Sequence, residues 1–374
     1  MRLSRRGLIA AAFGTAMLPR AARPATGLRL TVMGQALIQH DLRSHPWPDS
    51  AVLAGLFGKA DVCFTDLETA IRGVRAEAPT RQDVFLHAAD PVVLDCLRDW
   101  HIGLLATANN HAYDLGTGGI LAALDELDKR GLVHAGTGAD LAAASQPVYC
   151  RTANGTVALV AAASGAIREG GAATPSRAGV NELRVDTDAT TVNQDDVARM
   201  LAAIRDAAAQ AELVIAYHHN HALTDKGRRV PPWQRDFAHG CIDAGATLFV
   251  SHGAPWLLGI ELYRRRPIFY DLGSLVFQTA TEGGTYGADT WQSVIAECRF
   301  AEGRLAEMIL TPVRLNDEGV DSDPATRGRP SLARGDEAAA ILDRLAALSS
   351  PFGTTLSRSG DTAAIAAASS ATTR

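Results

Sequence analysis

One constraint limits the fold of this chain more than any other: short apolar runs, of the kind that fill strands buried on both faces, break off abruptly at polar clusters. Residues 102–106 read Ile-Gly-Leu-Leu-Ala, and Asn109-Asn110-His111 follows almost at once, with Asp114 beyond. Glycines at 116, 118 and 119 permit a tight turn, after which Ile120, Leu121, Leu124 and Leu127 recur at helical spacing. The unit is strand, polar loop, helix. It has counterparts along the chain: the run 28–33 ends at Gly34-Gln35 with His40 and Asp41 just beyond, and 62–65 ends at Asp66-Leu67-Glu68. Likewise 213–217 ends at His218-His219-Asn220-His221, and 248–250 ends at Ser251-His252-Gly253. Further strand-like runs lie at 156–161 and 268–270. Strands with helices between them predict an α/β fold, in which ligands gather beyond the strand C-termini. Six of the eleven histidines fall at such ends. Imidazole, carboxylate and amide oxygen together form the donor set of a Zn, Mn or Fe site, so a metal or a bound anion is expected there.

The rest of the chain frames that core. Ser4-Arg5-Arg6-Gly7, an uncharged run to Leu18 and small residues near 21–25 read as a twin-arginine export signal over residues 1–26, with a Sec signal as the alternative. Its apolar run is too short to span a bilayer, so no transmembrane anchor is expected after its removal, and the mature protein is expected to be periplasmic or secreted. The signal holds five arginines and no acid, so its loss takes the formal charge from −5 to −10, which argues against a nucleic-acid partner. Five scattered cysteines form no Cys-x-x-Cys pair and suggest buried thiols rather than a zinc ribbon or disulfide scaffold. Residues 27–315 read as one domain, with 164–196 as an inserted loop able to overhang a site. Residues 316–356 read as an extension with one helix near 338–348, and 357–374 as a disordered tail.

Four segments in order carry a more specific message: Asp66-Leu67-Glu68; Asn109-Asn110-His111 with Asp114 and Gly116; Asp243-Ala244-Gly245-Ala246 leading to Ser251-His252-Gly253; and Ile268-Phe269-Tyr270-Asp271-Leu272-Gly273-Ser274. In these the chain resembles, from about residue 28 to 277, the CapA-type capsule (poly-γ-glutamate) synthesis proteins of the calcineurin-like metallophosphoesterase superfamily. The resemblance implies a four-layer α/β/β/α sandwich of the metallo-dependent phosphatase type. It implies that Glu68, Asn110, His252 and one or more of His218, His219 and His221 hold a divalent metal. It also implies that His111, oriented by Asp114, acts as general acid or transition-state stabiliser. Two positions depart from the superfamily pattern. Gly34-Gln35 stands where that pattern has Gly-Asp, and His252 is followed by Gly253-Ala254-Pro255-Trp256 where it has His-x-His. Loss of an anionic and an imidazole ligand weakens a second ion, so one ion, two or none is expected, with Gln35, His40 and Asp41 as substitutes at the departed position.

The resemblance points to an anionic surface polymer or a small anionic substrate as partner, handled by metal-activated water; a noncatalytic polymer-binding or assembly protein is the alternative. An acidic protein needs local positive charge for such a ligand, and Lys226, Arg228 and Arg229, just after the histidine cluster, are the candidates. Arg264-Arg265-Arg266 reads instead as a solvated hairpin turn between Glu261-Leu262-Tyr263 and Ile268-Phe269-Tyr270. If export uses the twin-arginine route, replacing both Arg5 and Arg6 with Lys should strand the precursor in the cytoplasm; normal periplasmic accumulation in a fractionation assay would point to Sec.

Overall fold

The computed structural model describes residues 27–365, so the expected export signal and residues 366–374 lie outside the described part. Two mixed sheets face one another. The first has the parallel strands Leu28–Val32, Val62–Asp66, Ile102–Ala106 and Val133–Ala135, extended on the other side by antiparallel Gln292–Ala301 and Arg304–Leu315. The second has Gly155–Ser164, Leu213–Asn220, Leu248–His252 and Arg266–Phe269 in parallel, with antiparallel Val148–Thr152 and Ile260–Tyr263 at its two edges.

Side-chain alternation explains why both faces of these strands are apolar. Leu28, Leu30 and Val32, Val62 and Phe64, and Leu104 and Ala106 point into the gap between the sheets, where they meet Leu213, Ile215 and Tyr217, and Leu248 and Val250. The Phe64 and Tyr217 rings touch edge-on across the gap, with centroids 5.5 Å apart. The alternate residues face helices. Helices α1 (Ser50–Phe57) and α2 (Val92–Asp99) cover the first sheet, packing Leu53, Phe57, Val93 and Leu97 on Cys63, Ile102 and Leu105. Helix α3 (Gly116–Lys129) follows the Asn-Asn-His loop and the short α4 (Leu141–Ser145) follows Thr137–Gly138. Helices α5 (Gln194–Ala208) and α6 (Pro232–Ala244) cover the second sheet, setting Met200, Ile204, Phe237 and Ile242 on Val214, Ala216 and Phe249. The result is the expected α/β/β/α sandwich. At about 1.5–3 kcal/mol for each large side chain fully buried, the gap between the sheets is the main source of cohesion.

The C-terminal part is woven into this body. Pro330–Leu332 pairs with Arg304–Leu315, and helix α7 (Gly335–Ser349) sends Ala338, Ile341, Leu342 and Leu345 into the inter-sheet core. Residues 357–364, expected as disordered tail, instead form the hairpin Ser357–Ser359 and Thr362–Ala364 at the edge of the first sheet, with Ile365 buried. A run of Ala, Ser and Thr is weak in hydrophobic patterning, but a neighbouring strand supplies the hydrogen-bond partners that local sequence does not advertise. The five cysteines are free thiols, four of them buried. Arg264 and Arg265, both with positive φ, make the expected two-residue turn between Ile260–Tyr263 and Arg266–Phe269. No helix among the described residues is long and apolar enough to cross a membrane.

The insert matters because it is tied down at its far end. Asn181 and Leu183 bond to the free edge of Gly155–Ser164, and Asp196 on the first turn of α5 accepts from the Arg184 amide at 3.0 Å, Arg184 Nε at 2.7 Å and Arg199 Nη1 at 2.7 Å. Burial alone would raise the Asp196 pKa; the hydrogen bonds from Arg184 and Arg199 outweigh it and hold the carboxyl below its ordinary 3.8. A depressed carboxyl stabilises the fold above its unfolded pKa and loses that contribution as pH falls through its native value. Asp196→Asn should therefore lower the unfolding free energy by about 2 kcal/mol at neutral pH, with the gap closing below about pH 4. Urea melts across that range test this, and a gap independent of pH would rule out the charged clasp.

Candidate functional site

The strands that build the inter-sheet gap continue past their apolar ends with unchanged alternation, so the residues facing the gap there become polar. After Val62 and Phe64 come Asp66 and Glu68; after Leu104, Ala106 and Ala108 comes Asn110. From the second sheet, Tyr217 is followed by His219 and His221, and Val250 by His252. Carboxylates and an amide arrive from one sheet and imidazoles from the other. His219 and His252 sit opposite each other in register on adjacent strands.

Close packing of backbone brings the strand ends together. Gly165 has φ +73°, and a Cβ there would lie 2.3 Å from the Ala222 nitrogen and 2.4 Å from the His221 carbonyl carbon; Gly253, at φ +136°, would drive one to 2.2 Å from the Asn220 oxygen. Only glycine fits either position. The loop after Ile102–Ala106 is braced by Asn109, whose Nδ2 donates to Asp66 Oδ1 at 3.1 Å and to the Leu67 carbonyl at 2.8 Å, while its Oδ1 accepts from the His111 amide.

His219 Nε2 lies 2.9 Å from Asn110 Oδ1, and its Nδ1 3.2 Å from Asp66 Oδ2 and 3.3 Å from the Tyr217 hydroxyl. Glu68 Oε1 is 3.6 Å from His219 Nε2, 3.9 Å from His111 Nε2 and 4.0 Å from His221 Nε2. One donor atom from each of Glu68, His219 and His221 lies within 4.8 Å of the others. Glu68 Oε2, His221 Nε2 and both ring nitrogens of His252 are buried without a hydrogen-bond partner. Orphaned donors of these kinds in one place fit a divalent cation, because a buried polar atom without a partner is costly and a metal removes that cost. Burial pushes Asp66, Glu68 and Asp271 well above the usual carboxylate range, and it pushes His219, His221 and His252 down to about 3, which keeps the imidazoles neutral as ligands must be.

Beside this group His111 Nδ1 lies 2.9 Å from Asp114 Oδ2, and the same oxygen accepts from the His87 amide at 2.9 Å. Burial raises the Asp114 carboxyl to about 6 against that amide bond and the charges of Arg81 and Arg168. The His87 ring stacks on His111 with centroids 3.9 Å apart, and neither of its ring nitrogens has a partner.

The structure brings Glu68, Asn110, His111, Asp114, His219, His221 and His252 to one face of the gap, and leaves several expected residues elsewhere. His218 falls on the opposite face of its strand, where its Nε2 bonds Ser164 Oγ at 2.8 Å and its ring packs among Trp233, Phe237 and Phe249. Adjacent residues of a strand cannot share a face. His40 is exposed, and Asp41 is engaged by Arg43 and the Cys96 thiol, so neither supplies the position that Gln35 occupies. Gln35 itself accepts from the Gly253 amide at 3.1 Å. Lys226, Arg228 and Arg229 are exposed; Arg228 lies over the Trp256 ring, 3.9 Å from its centroid, and pairs with Asp289. Sequence reasoning passed over Asp66, His87 and Asp271 as site groups. Asp66 and Asp271 stand in the quoted motifs, whereas nothing in Leu86-His87-Ala88 marks the histidine. His218→Ala, by opening a cavity in the helix-facing layer, should cost about 2–4 kcal/mol in chemical denaturation. An unchanged midpoint would contradict its placement in the helix-facing layer.

With this geometry in hand, comparison with known proteins is direct. The family described as bacterial capsule synthesis protein PGA_cap matches residues 29–279. The chain is 31% identical over 304 residues to a probable polyglutamine synthesis accessory protein of Mycobacterium tuberculosis, covering 79% of this chain and 77% of that one. It is 27% identical over 223 residues to the PGA biosynthesis protein CapA of Bacillus subtilis, covering 59% of this chain and 53% of that one. A solved structure, a phosphatase of Mycoplasma pneumoniae, aligns over 77% of this chain and 94% of its own with a TM-score of 0.44 at 10% identity. The family match over residues 29–279 takes in the parallel strands of both sheets and each strand end that contributes to the polar face, and on it this chain belongs to the bacterial capsule synthesis family PGA_cap.

Proposed function

We propose that this chain is an exported, metal-dependent hydrolase that works in the synthesis or processing of capsule or a related anionic surface polymer such as poly-γ-glutamate. The observation that carries the reading is the group of orphaned donors Glu68 Oε2, His221 Nε2 and His252 beside a hydrogen-bonded His111–Asp114 pair. Asp66, Glu68, Asn110, His219, His221 and His252 would hold the metal. A bound Zn, Mn or Fe ion supplies Lewis acidity and an activated water.

The remaining work falls to the chain. With Asp114 ionised and accepting Nδ1–H of His111, Nε2 is turned toward the Glu68 side of the site, where it gives or takes a proton at the bond being broken. Asp114 acts through His111 by fixing its ring and tautomer. Asn109 keeps the loop rigid by clasping Asp66 and Leu67, so Asn110 and His111 hold their places without reorganising. His219 and His252 are fully buried, while His221 keeps part of its ring open to solvent.

The chain should bind close to one equivalent or more of Zn, Mn or Fe by calorimetry, His219→Ala should weaken that binding at least tenfold, and Asp114→Asn should keep the metal while losing a hundredfold or more of turnover. Protein that takes up none of the three metals would sink the hydrolase reading and favour the noncatalytic polymer-binding one, for which the uncharged Gln35 speaks.

A further inference from the structure

We propose that Arg81 and Arg168 form a clamp that seats an oxyanion of the ligand, a carboxylate or a phosphate, next to His111. The clamp deepens the hydrolase reading, on which its assignment to substrate rests. The two guanidinium groups come from different loops, Arg81 from the segment between Ala70–Ile71 and Ala88–Ala89 and Arg168 from the insert after Gly155–Ser164. They converge on one atom: Arg81 Nη1 is 3.9 Å and Arg168 Nη2 is 3.8 Å from Asp114 Oδ1. Neither distance is a hydrogen bond, and Asp114 Oδ1 is buried with no hydrogen-bond partner. Two cations are thus held near a buried acid without being consumed by it.

Other contacts hold the pair in place from behind. Arg168 Nη1 donates to the Thr80 carbonyl at 2.5 Å and to Thr80 Oγ1 at 2.8 Å, which fastens the insert to the residue preceding Arg81. The Thr80 amide in turn donates to the Asp114 carbonyl at 2.9 Å, tying both loops to the His111 loop. Arg81 Nε lies 2.9 Å from Asp83 Oδ1. Each arginine keeps roughly a fifth of its side chain exposed, 21% for Arg81 and 23% for Arg168. Arg81 also lies over the Phe85 ring, 5.8 Å from its centroid.

The field of the pair reaches the site. Burial is the main cause that holds His111 well below its ordinary pKa, and the charges of Arg81 and Arg168 add to it. An oxyanion placed between two guanidinium groups gains charge-assisted, planar hydrogen bonds and neutralises that field. On the same loop Val84 and Phe85 are exposed, offering apolar contact to aliphatic carbons of a chain that carries the anion. A ligand with regularly spaced acidic groups on aliphatic spacers suits this mouth.

The test is equilibrium binding by calorimetry to the full mature chain with a chelator present, so that no metal contributes and the outcome is independent of whether the chain hydrolyses anything. The probes are a short γ-linked glutamate oligomer, the same oligomer with its carboxylates amidated, and inorganic phosphate. The parent should bind an anionic probe with affinity that falls with salt, and should not bind the amidated oligomer. Arg81→Gln and Arg168→Gln should each weaken binding about tenfold and the double variant about a hundredfold, while the Lys variants keep part of it. Preference for the oligomer assigns the clamp to carboxylates, and preference for phosphate assigns it to phosphate esters. The proposal is overturned if neither anion binds, if the amidated oligomer binds as well as the charged one, or if a double variant with the parent's near-ultraviolet dichroism and melting temperature binds as the parent does.

Discussion

The site depends on one physical circumstance: the gap between two sheets is closed by apolar side chains along most of its length and by titratable ones at its end, with no change in the direction the side chains point. Desolvation therefore acts on Asp66, Glu68, Asp114, Asp271 and five imidazoles at once. Burying such groups costs several kcal/mol each unless something compensates, and the apolar layers behind them provide the cohesion that lets the fold tolerate it. The same layers keep the groups rigid. Phe64 and Tyr217, in contact across the gap, stand directly behind Asp66 and His219 in their strands, so the first polar pair inherits the registration of the last apolar pair.

Much of this arrangement was legible in the sequence, and what was not shares a cause. The strand runs and the residues that end them are local signals, and the motifs containing Asp66, Glu68, Asn110, His111, Asp114 and His252 carried the site with them. The cluster at 218–221 could not be resolved so easily. The strand Leu213–Asn220 is buried on both faces, so its apolar run has no visible alternation to say which histidine faces which way. Once the sheet is formed the answer is fixed by parity: His219 and His221 join the gap, and His218 becomes part of the layer under α6. His87, Arg81 and Arg168 were invisible for a different reason. They sit on loops whose approach to His111 is decided by long-range contacts such as Thr80 to Asp114, and no spacing along the chain encodes those. The bases of the run 226–229 are exposed, and the run lies against the loop that follows His252, with Arg228 over Trp256 and paired with Asp289.

Charge is apportioned with some economy. The chain is acidic, with a formal charge of −5, and the positive groups next to the site are supplied by connecting segments, whereas Asp66 and Glu68 come from a strand end. Rigid elements hold what must not move, and loops hold what must meet a ligand of variable shape. The insert is not loose: the Asp196 clasp and pairing with Gly155–Ser164 hold its far end, and the bonds from Arg168 to Thr80 hold its near end.

Gln35 and Gly253 couple the two sheets at the end of the gap. The first follows Leu28–Val32 of one sheet and the second follows Leu248–His252 of the other, and the bond from the Gly253 amide to Gln35 Oε1 rivets the two sheets at the mouth of the gap without adding charge. A side chain at 253 is refused by the Asn220 backbone, and a carboxylate at 35 would bring another anion to a mouth already lined with them. Replacing Gln35 by an apolar side chain would leave the Gly253 amide without its acceptor and unfasten the two sheets at that end.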